Sequence, residues 1–204
     1  VSLNNDDALL TINDADLATS GYNTGHWKRN ILHFASDVVL NNVTAVNGLG
    51  FKKDAVLNDV EVSQVGDNYA VWVWANGQTI TFDGVSVDSE GRAIKVGQED
   101  ADTPAKVTIN VANSTFKSVK KAAVLVTSTN GAVINWGAGN DIKGVAADPI
   151  NAVWVDEDYS QYDSEVKVEG ASKVVEGAVD NVSANAANLS DVLAAAKESE
   201  TTVV

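Results

Sequence analysis

The chain has 204 residues, 45% of them hydrophobic and 21% charged, so it is long and apolar enough to bury a core and is not a disordered tail. A formal charge of −14 repels nucleic-acid phosphates and anionic membranes, and no run of 18 apolar residues offers a membrane span. The chain has no cysteine, which excludes disulfides, thiolate metal sites and cysteine nucleophiles, and no methionine, so Val1 is not expected to be a translation start.

In chain order, residues 1–36 read as an N-terminal cap or arm. They carry the one basic-aromatic concentration in an acidic chain, His26, Trp27, Lys28 and Arg29, close to Tyr22. That group suits a docking arm for the acidic face of a neighbouring copy, or a cap whose long side chains snorkel along apolar surface.

From residue 37 to residue 175 two short patterns alternate. The first is an apolar residue, two turn-prone polar residues and another apolar residue. It reads Leu40-Asn41-Asn42-Val43, Leu57-Asn58-Asp59-Val60 and Phe82-Asp83-Gly84-Val85, with weaker copies at Ala112-Asn113-Ser114-Thr115 and Gly139-Asn140-Asp141-Ile142. The second is a small residue followed by alternating β-branched residues: Ala70-Val71-Trp72-Val73, Ala93-Ile94-Lys95-Val96, Ala123-Val124-Leu125-Val126 and Ala152-Val153-Trp154-Val155. Val, Ile and Thr in alternation mark strands, and Asn, Asp and Gly mark bends. A helical period is absent here. An antiparallel sandwich has no reason to repeat two strand types in fixed order, whereas a solenoid requires it. The reading is therefore all-β: a right-handed single-stranded parallel β-helix.

The alternation also assigns faces. Val71 and Val73, Ile94 and Val96, Val124 and Val126, and Val153 and Val155 should point into the solenoid and stack from coil to coil. Trp72, Lys95, Leu125 and Trp154 should form an outward ladder beside an outward alanine ladder of Ala70, Ala93, Ala123 and Ala152. Three readings of that face stay open: a protein interface, a surface covered by the same chain, or a platform on which sugar rings stack.

Residues 176–204 read as a linker and the start of a following module. Ser190 to Lys197 has the pattern of a short helix, with Asn188 or Ser190 as its cap.

Several stretches resemble β-helix proteins of the pectate-lyase-like architecture. These are Asn76-Gly77-Gln78-Thr79, Gly91-Arg92-Ala93-Ile94-Lys95, Thr103-Pro104-Ala105-Lys106-Val107, Lys120-Lys121-Ala122-Ala123 and Ala152 to Asp158, with Leu189 to Ala196 as a helix opening another module. The chain is similar to uncharacterised repeat proteins of gut Bacteroidales and their tailed phages. The resemblance implies a protein of the virion surface or of the cell surface, such as a head fibre, decoration or tail protein, and implies no reaction.

Catalysis and metal binding both have thin support in the sequence. Arg92-Ala93-Ile94-Lys95 and Gln98-Glu99-Asp100 resemble pieces of galacturonan-hydrolase motifs. Their order along the chain is wrong, and the two histidines, His26 and His33, lie upstream of the clear repeats. Glu99, Asp100 and Asp102 share one loop beside Pro104, a solvated arrangement. Asp156, Glu157, Asp158 and Asp163 form an acidic cluster in which calcium is a weak candidate, because no EF-hand or nonapeptide calcium pattern accompanies them. The expectation is a non-enzymatic structural or assembly module, homo-oligomeric or part of a larger particle, without cofactor. A glycan-binding adhesin is the alternative, and a polysaccharide lyase or hydrolase the second.

Overall fold

A computed structural model describes residues 8–18, 31–64, 69–89, 91–97, 105–119, 124–128, 130–144, 153–155, 164–168 and 173–176. The described residues form strands and turns and no helix. Three strands are ten residues long: β1 (Leu9–Ala18), β3 (Asp37–Val46) and β5 (Ala55–Gln64). They pair in parallel and in register, Leu10 with Val38 and Val38 with Ala55. After β5 each long strand is replaced by two shorter ones. These are β7 (Thr79–Asp83) with β8 (Ser86–Ser89), β10 (Val107–Ala112) with β11 (Thr115–Val119), and β13 (Ala132–Trp136) with β14 (Asp141–Gly144).

The first half of β5 pairs with β7 and the second half with β8, so one sheet bends into two faces along a common corner. A second, six-stranded parallel sheet holds β2 (Leu32–Phe34), β4 (Leu49–Phe51), β6 (Tyr69–Val73), β9 (Arg92–Gly97), β12 (Val124–Thr127) and β15 (Val153–Val155). The chain visits the three faces in turn, and each visit lies on the last. This is the right-handed parallel β-helix expected from the two alternating patterns. At the far edge β16 (Glu165–Val168) continues the first face in parallel, and β17 (Lys173–Glu176) pairs with β16 antiparallel.

The corner explains the polar half of the repeat. Asp14, Asn42, Asp59, Gly84, Asn113 and Gly139 follow one another from rung to rung, all with φ between 50° and 75°. Left-handed backbone is costly for most residues and tolerated by Gly, Asn and Asp, which fixes the residue types. Stacked side chains then tie the rungs from outside. Asn41 Nδ2 donates to Asn13 Oδ1 at 2.8 Å and Asn58 Nδ2 to Asn41 Oδ1 at 2.8 Å. Asn42 Nδ2 donates to Asp14 Oδ1 at 2.7 Å and Asn113 Nδ2 to Asp83 Oδ1 at 2.8 Å.

Two expectations are corrected here. The weaker bend copies are out of phase, Ala112 to Thr115 by one residue and Gly139 to Ile142 by two. Asn113, the first polar residue of its copy, and Gly139, the residue ahead of the polar pair in its copy, take the left-handed position. Ser114 and Asn140 therefore fall into the inward column headed by Val43, Val60 and Val85. They are accommodated by hydrogen bonds: the Ser114 hydroxyl accepts from Val85 N at 3.1 Å and donates to Ala112 O at 2.7 Å. Asn140 accepts from Ser114 N and donates to the carbonyls of Val111 and Gly137. The second correction is the boundary at residue 37. Leu9–Ala18 is already a rung, in register with β3, and Leu32–Phe34 is the first strand of the other sheet. Only part of 1–36 is thus free to be a cap or arm.

The core is a single column of apolar layers. Leu40, Leu57 and Phe82 stack on the first face, Val62, Val87 and Phe116 on the second, and Val71, Ile94 and Val124 on the third, all fully or almost fully buried. Aromatic rings reinforce the stack, Phe34 over Phe51 at 5.7 Å and Phe116 over Trp136 at 5.3 Å.

Candidate functional site

The outward row of the six-stranded sheet is the site singled out by sequence, and strand register assembles it. His33 pairs with Gly50, Gly50 with Trp72, Trp72 with Lys95, Lys95 with Leu125 and Leu125 with Trp154. Val71 and Val73 belong to the central core, whereas Trp72 belongs to a separate cluster with Ile31 and Trp74. Trp72 therefore does point away from the solenoid interior, as the alternation requires.

It is not, however, exposed. Trp72 is 0% accessible, Trp74 6% and Leu125 5%. The Trp72 ring stacks on Trp74 at 4.1 Å, and the His33 ring meets both edge-on at 5.6 and 4.8 Å. Trp72 Nε1 donates to Gly97 O at 2.9 Å, giving the buried indole its polar partner. Lys95 Nζ lies 5.7 Å from the Trp72 centroid and 5.0 Å from that of Tyr69, while Lys52 Nζ lies 5.1 Å from Trp74. These are cation–π distances. Gly50 makes the cluster possible: a Cβ there would collide with the His33 ring. Gly97 is constrained likewise, since a Cβ would strike Thr127.

The outward ladder thus takes the second of its three readings at Trp72 and Leu125, cover by the same chain. An open glycan platform at Trp72 is corrected, because its faces are occupied by Trp74, His33 and Lys95. Trp154 stands in the row by register, and its side chain lies outside the described set. The alanine ladder is corrected as well. Ala70 and Ala93 are fully buried members of the central core. At these strand starts the chain has just turned out of the second face, and the corner packing against β5 and β8 overrides simple alternation. Ala123 and Ala152 lie outside the described residues, as do His26, Trp27, Lys28 and Arg29 and the calcium candidates Asp156, Glu157 and Asp158.

Sequence reasoning missed His33, Trp74 and Gly50 as parts of this site. Trp74 was legible, two residues beyond Trp72 and so on the same side of the strand. His33 and Gly50 became neighbours of Trp72 only through register.

Two open concavities are lined by described residues. One crosses the first face, about 400 Å³, along the outward row Thr81, Asn110, Asn135 and Lys167, with Ala112 and Gly137 as its shallow part and Asp83 near one end. Asn135 Nδ2 donates to Asn110 Oδ1 at 2.7 Å, so the row is internally bonded. The other, about 420 Å³, lies where the six-stranded sheet turns back to the first face, between Lys52, Lys53, Asp37 and Asp54. Its carboxylates hold backbone: Asp37 accepts from Asp54 N at 3.1 Å and Asp54 from Thr79 N at 2.8 Å. Gln78 fills the same turn, accepting from Asn76 N and donating to the carbonyls of Trp74 and Phe51.

No family model matches the chain, and no curated protein or solved structure matches it.

Proposed function

We propose that this chain is a non-enzymatic structural module, a stiff acidic β-helical rod that acts through assembly with other protein subunits. One observation carries the reading: a single apolar column runs in register through the described rungs, and the outer polar side chains are spent on ladders along it. A stack bonded both inside and outside resists bending, which is what a fibre, spike or decoration element needs. Placement on a virion or at a cell surface follows the resemblance in the sequence, and the charge of −14 keeps such a surface away from nucleic acid.

The test is electron microscopy of the native assembly, with an assay for polysaccharide cleavage in parallel. Rods built into a particle or oligomer are expected, with no cleavage. An isolated monomer that cleaves polysaccharide refutes the proposal.

A second reading, a glycan-binding module, is supported by the open groove over Thr81, Asn110, Asn135 and Lys167 rather than by the covered tryptophan. A row of amides and a hydroxyl suits a neutral, hydroxyl-rich ligand. A glycan array tests it: a binder whose affinity falls in Asn135→Ala supports it, and an empty array removes it.

A further inference from the structure

The first rung of the solenoid differs from the rungs above it. Leu10, Ile12, Ala15 and Leu17 of β1 and Leu32 of β2 point at the core and pack on it, yet each is only half-buried. Their register partners Val38, Leu40, Val43, Ala45 and Leu49 are at most 2% exposed. Among the described residues, these five inward side chains at one end of the stack have no further rung packed on their outer side. Leu9, at the start of the same strand, is 60% exposed. Among the described strands β1 pairs only with β3, so within that set its other edge is the outer edge of the sheet, with its backbone donors and acceptors turned outward.

That edge already has the shape of a rung. Asp14 holds the left-handed corner at φ 50°, so β1 is bent as β3 and β5 are. Its amide ladder is also directional. Asn41 gives its Nδ2 to Asn13 and receives from Asn58, so the Nδ2 of Asn13 is the group that faces the open end. An incoming chain would meet a bent strand, a row of half-covered apolar side chains, an amide donor at the corner, and the exposed carboxylates of Asp14 and Asp16.

We infer that the β1 edge is a docking surface for one extended strand from another polypeptide, added in parallel as a further rung. The inference rests on the structural reading and names the contact through which the rod would assemble. The partner strand would alternate apolar residues toward the core, carry Asn or Asp at the corner beside Asn13, and place Lys or Arg beside Asp16. A second copy of this chain offering its own β1 fits less well, because it would bring Asp14 and Asp16 against themselves in a chain of charge −14. Edge pairing supplies affinity through main-chain hydrogen bonds, and alternate side chains supply selectivity.

The probe is a ten-residue peptide with the sequence of β3, changed at two positions, Asp37→Lys and Thr44→Lys, the latter opposite Asp16. It is titrated into the full chain, with hydrogen exchange read at the β1 amides and a scrambled peptide as control. Protection confined to β1 and its neighbour is expected, with binding at least tenfold stronger than for the scrambled peptide. Leu10→Lys with Leu17→Lys is expected to weaken binding at least tenfold. The long lysine stems keep their packing on the core, and unchanged thermal melting shows that the rod is intact. No protection of β1 at saturating peptide, or equal binding of the scrambled peptide, overturns the inference. So does a dimer of the unliganded chain joined through β1. None of these outcomes bears on polysaccharide cleavage or on the appearance of the native particle, so the structural reading fails or stands separately.

Discussion

The left-handed corner can be dissected at Asn113, where two contributions meet. Its backbone sits at φ 50°, and its side chain donates to Asp83 at 2.8 Å. Asn113→Ala removes the hydrogen bond and puts a Cβ-bearing residue without a compensating amide into left-handed backbone. Asn113→Gly removes the same bond but relieves the backbone. Asn113 is exposed, so the bond to the carboxylate is worth about 1 kcal/mol, toward the low end of the range. The left-handed conformation costs a non-glycine residue about 1–2 kcal/mol. Asn113→Ala is then expected to destabilise by about 2–3 kcal/mol in sum. Asn113→Gly should cost about 1–1.5 kcal/mol, the bond plus a part of the extra unfolded-state entropy of glycine. For a chain of this size each kcal/mol moves the melting temperature by roughly 2–4 °C. Thermal melting followed by circular dichroism should therefore rank wild type above Asn113→Gly and Asn113→Gly above Asn113→Ala, with a gap of a few degrees at each step. If glycine proves equal to or worse than alanine, the corner does not select residues through its backbone angle. The repeat of Asn, Asp and Gly would then need another cause.

Three further outcomes follow from the packing. Trp72→Ala empties a fully buried indole site and should cost about 3–5 kcal/mol, measured by denaturant unfolding; a cost under about 1 kcal/mol would mean the ring is solvated in solution. Gly50→Ala drives a methyl into the His33 ring and should cost about 1–3 kcal/mol, with a red shift of tryptophan emission as Trp72 and Trp74 separate; an unchanged spectrum would show that His33 does not lie over Gly50. Ser114→Ala leaves Val85 N without its hydroxyl acceptor inside the corner and should cost about 1–3 kcal/mol, read by chemical unfolding, while the exposed Thr79→Ala should cost far less.

The strands and their order were legible because each rung repeats the same physical demand. Val71 and Val73, Ile94 and Val96, and Val124 and Val126 alternate with variable residues because one side of a strand is core, and period 2 survives changes of residue type. The bends were legible where Asn or Asp precedes Val, as at Asn42 and Asp59. They slipped at Asn113 and Gly139 because Ser114, which is buried, and Asn140, which is half-buried, are polar residues held inward by hydrogen bonds, and polarity alone does not distinguish such a residue from a solvated one. Exposure of the outward row was not legible. Whether Trp72 faces water depends on Trp74, His33 and Lys95, and the last two join it through strand pairing across 39 and 23 residues of sequence (72 − 33 and 95 − 72). The half-buried state of Leu10 and Leu17 has the same origin, since their pattern equals that of a central rung and only their place at the end of the stack differs.

The corner residues also show how the spacing of the rungs behaves. From Asn42 to Asp59 the chain advances 17 residues, from Asp59 to Gly84 25, and from Gly84 to Asn113 29, yet the strands on either side keep their register. All of that variation is absorbed outside the strands, in the excursions between one face and the next. Core and periphery are thus separate compartments for sequence change. An excursion can lengthen, shorten or acquire a new recognition loop without shifting a single layer of the column, while one residue added inside a strand would turn its apolar set to water. A scaffold with this division can diversify what it displays at a pace its interior never has to match.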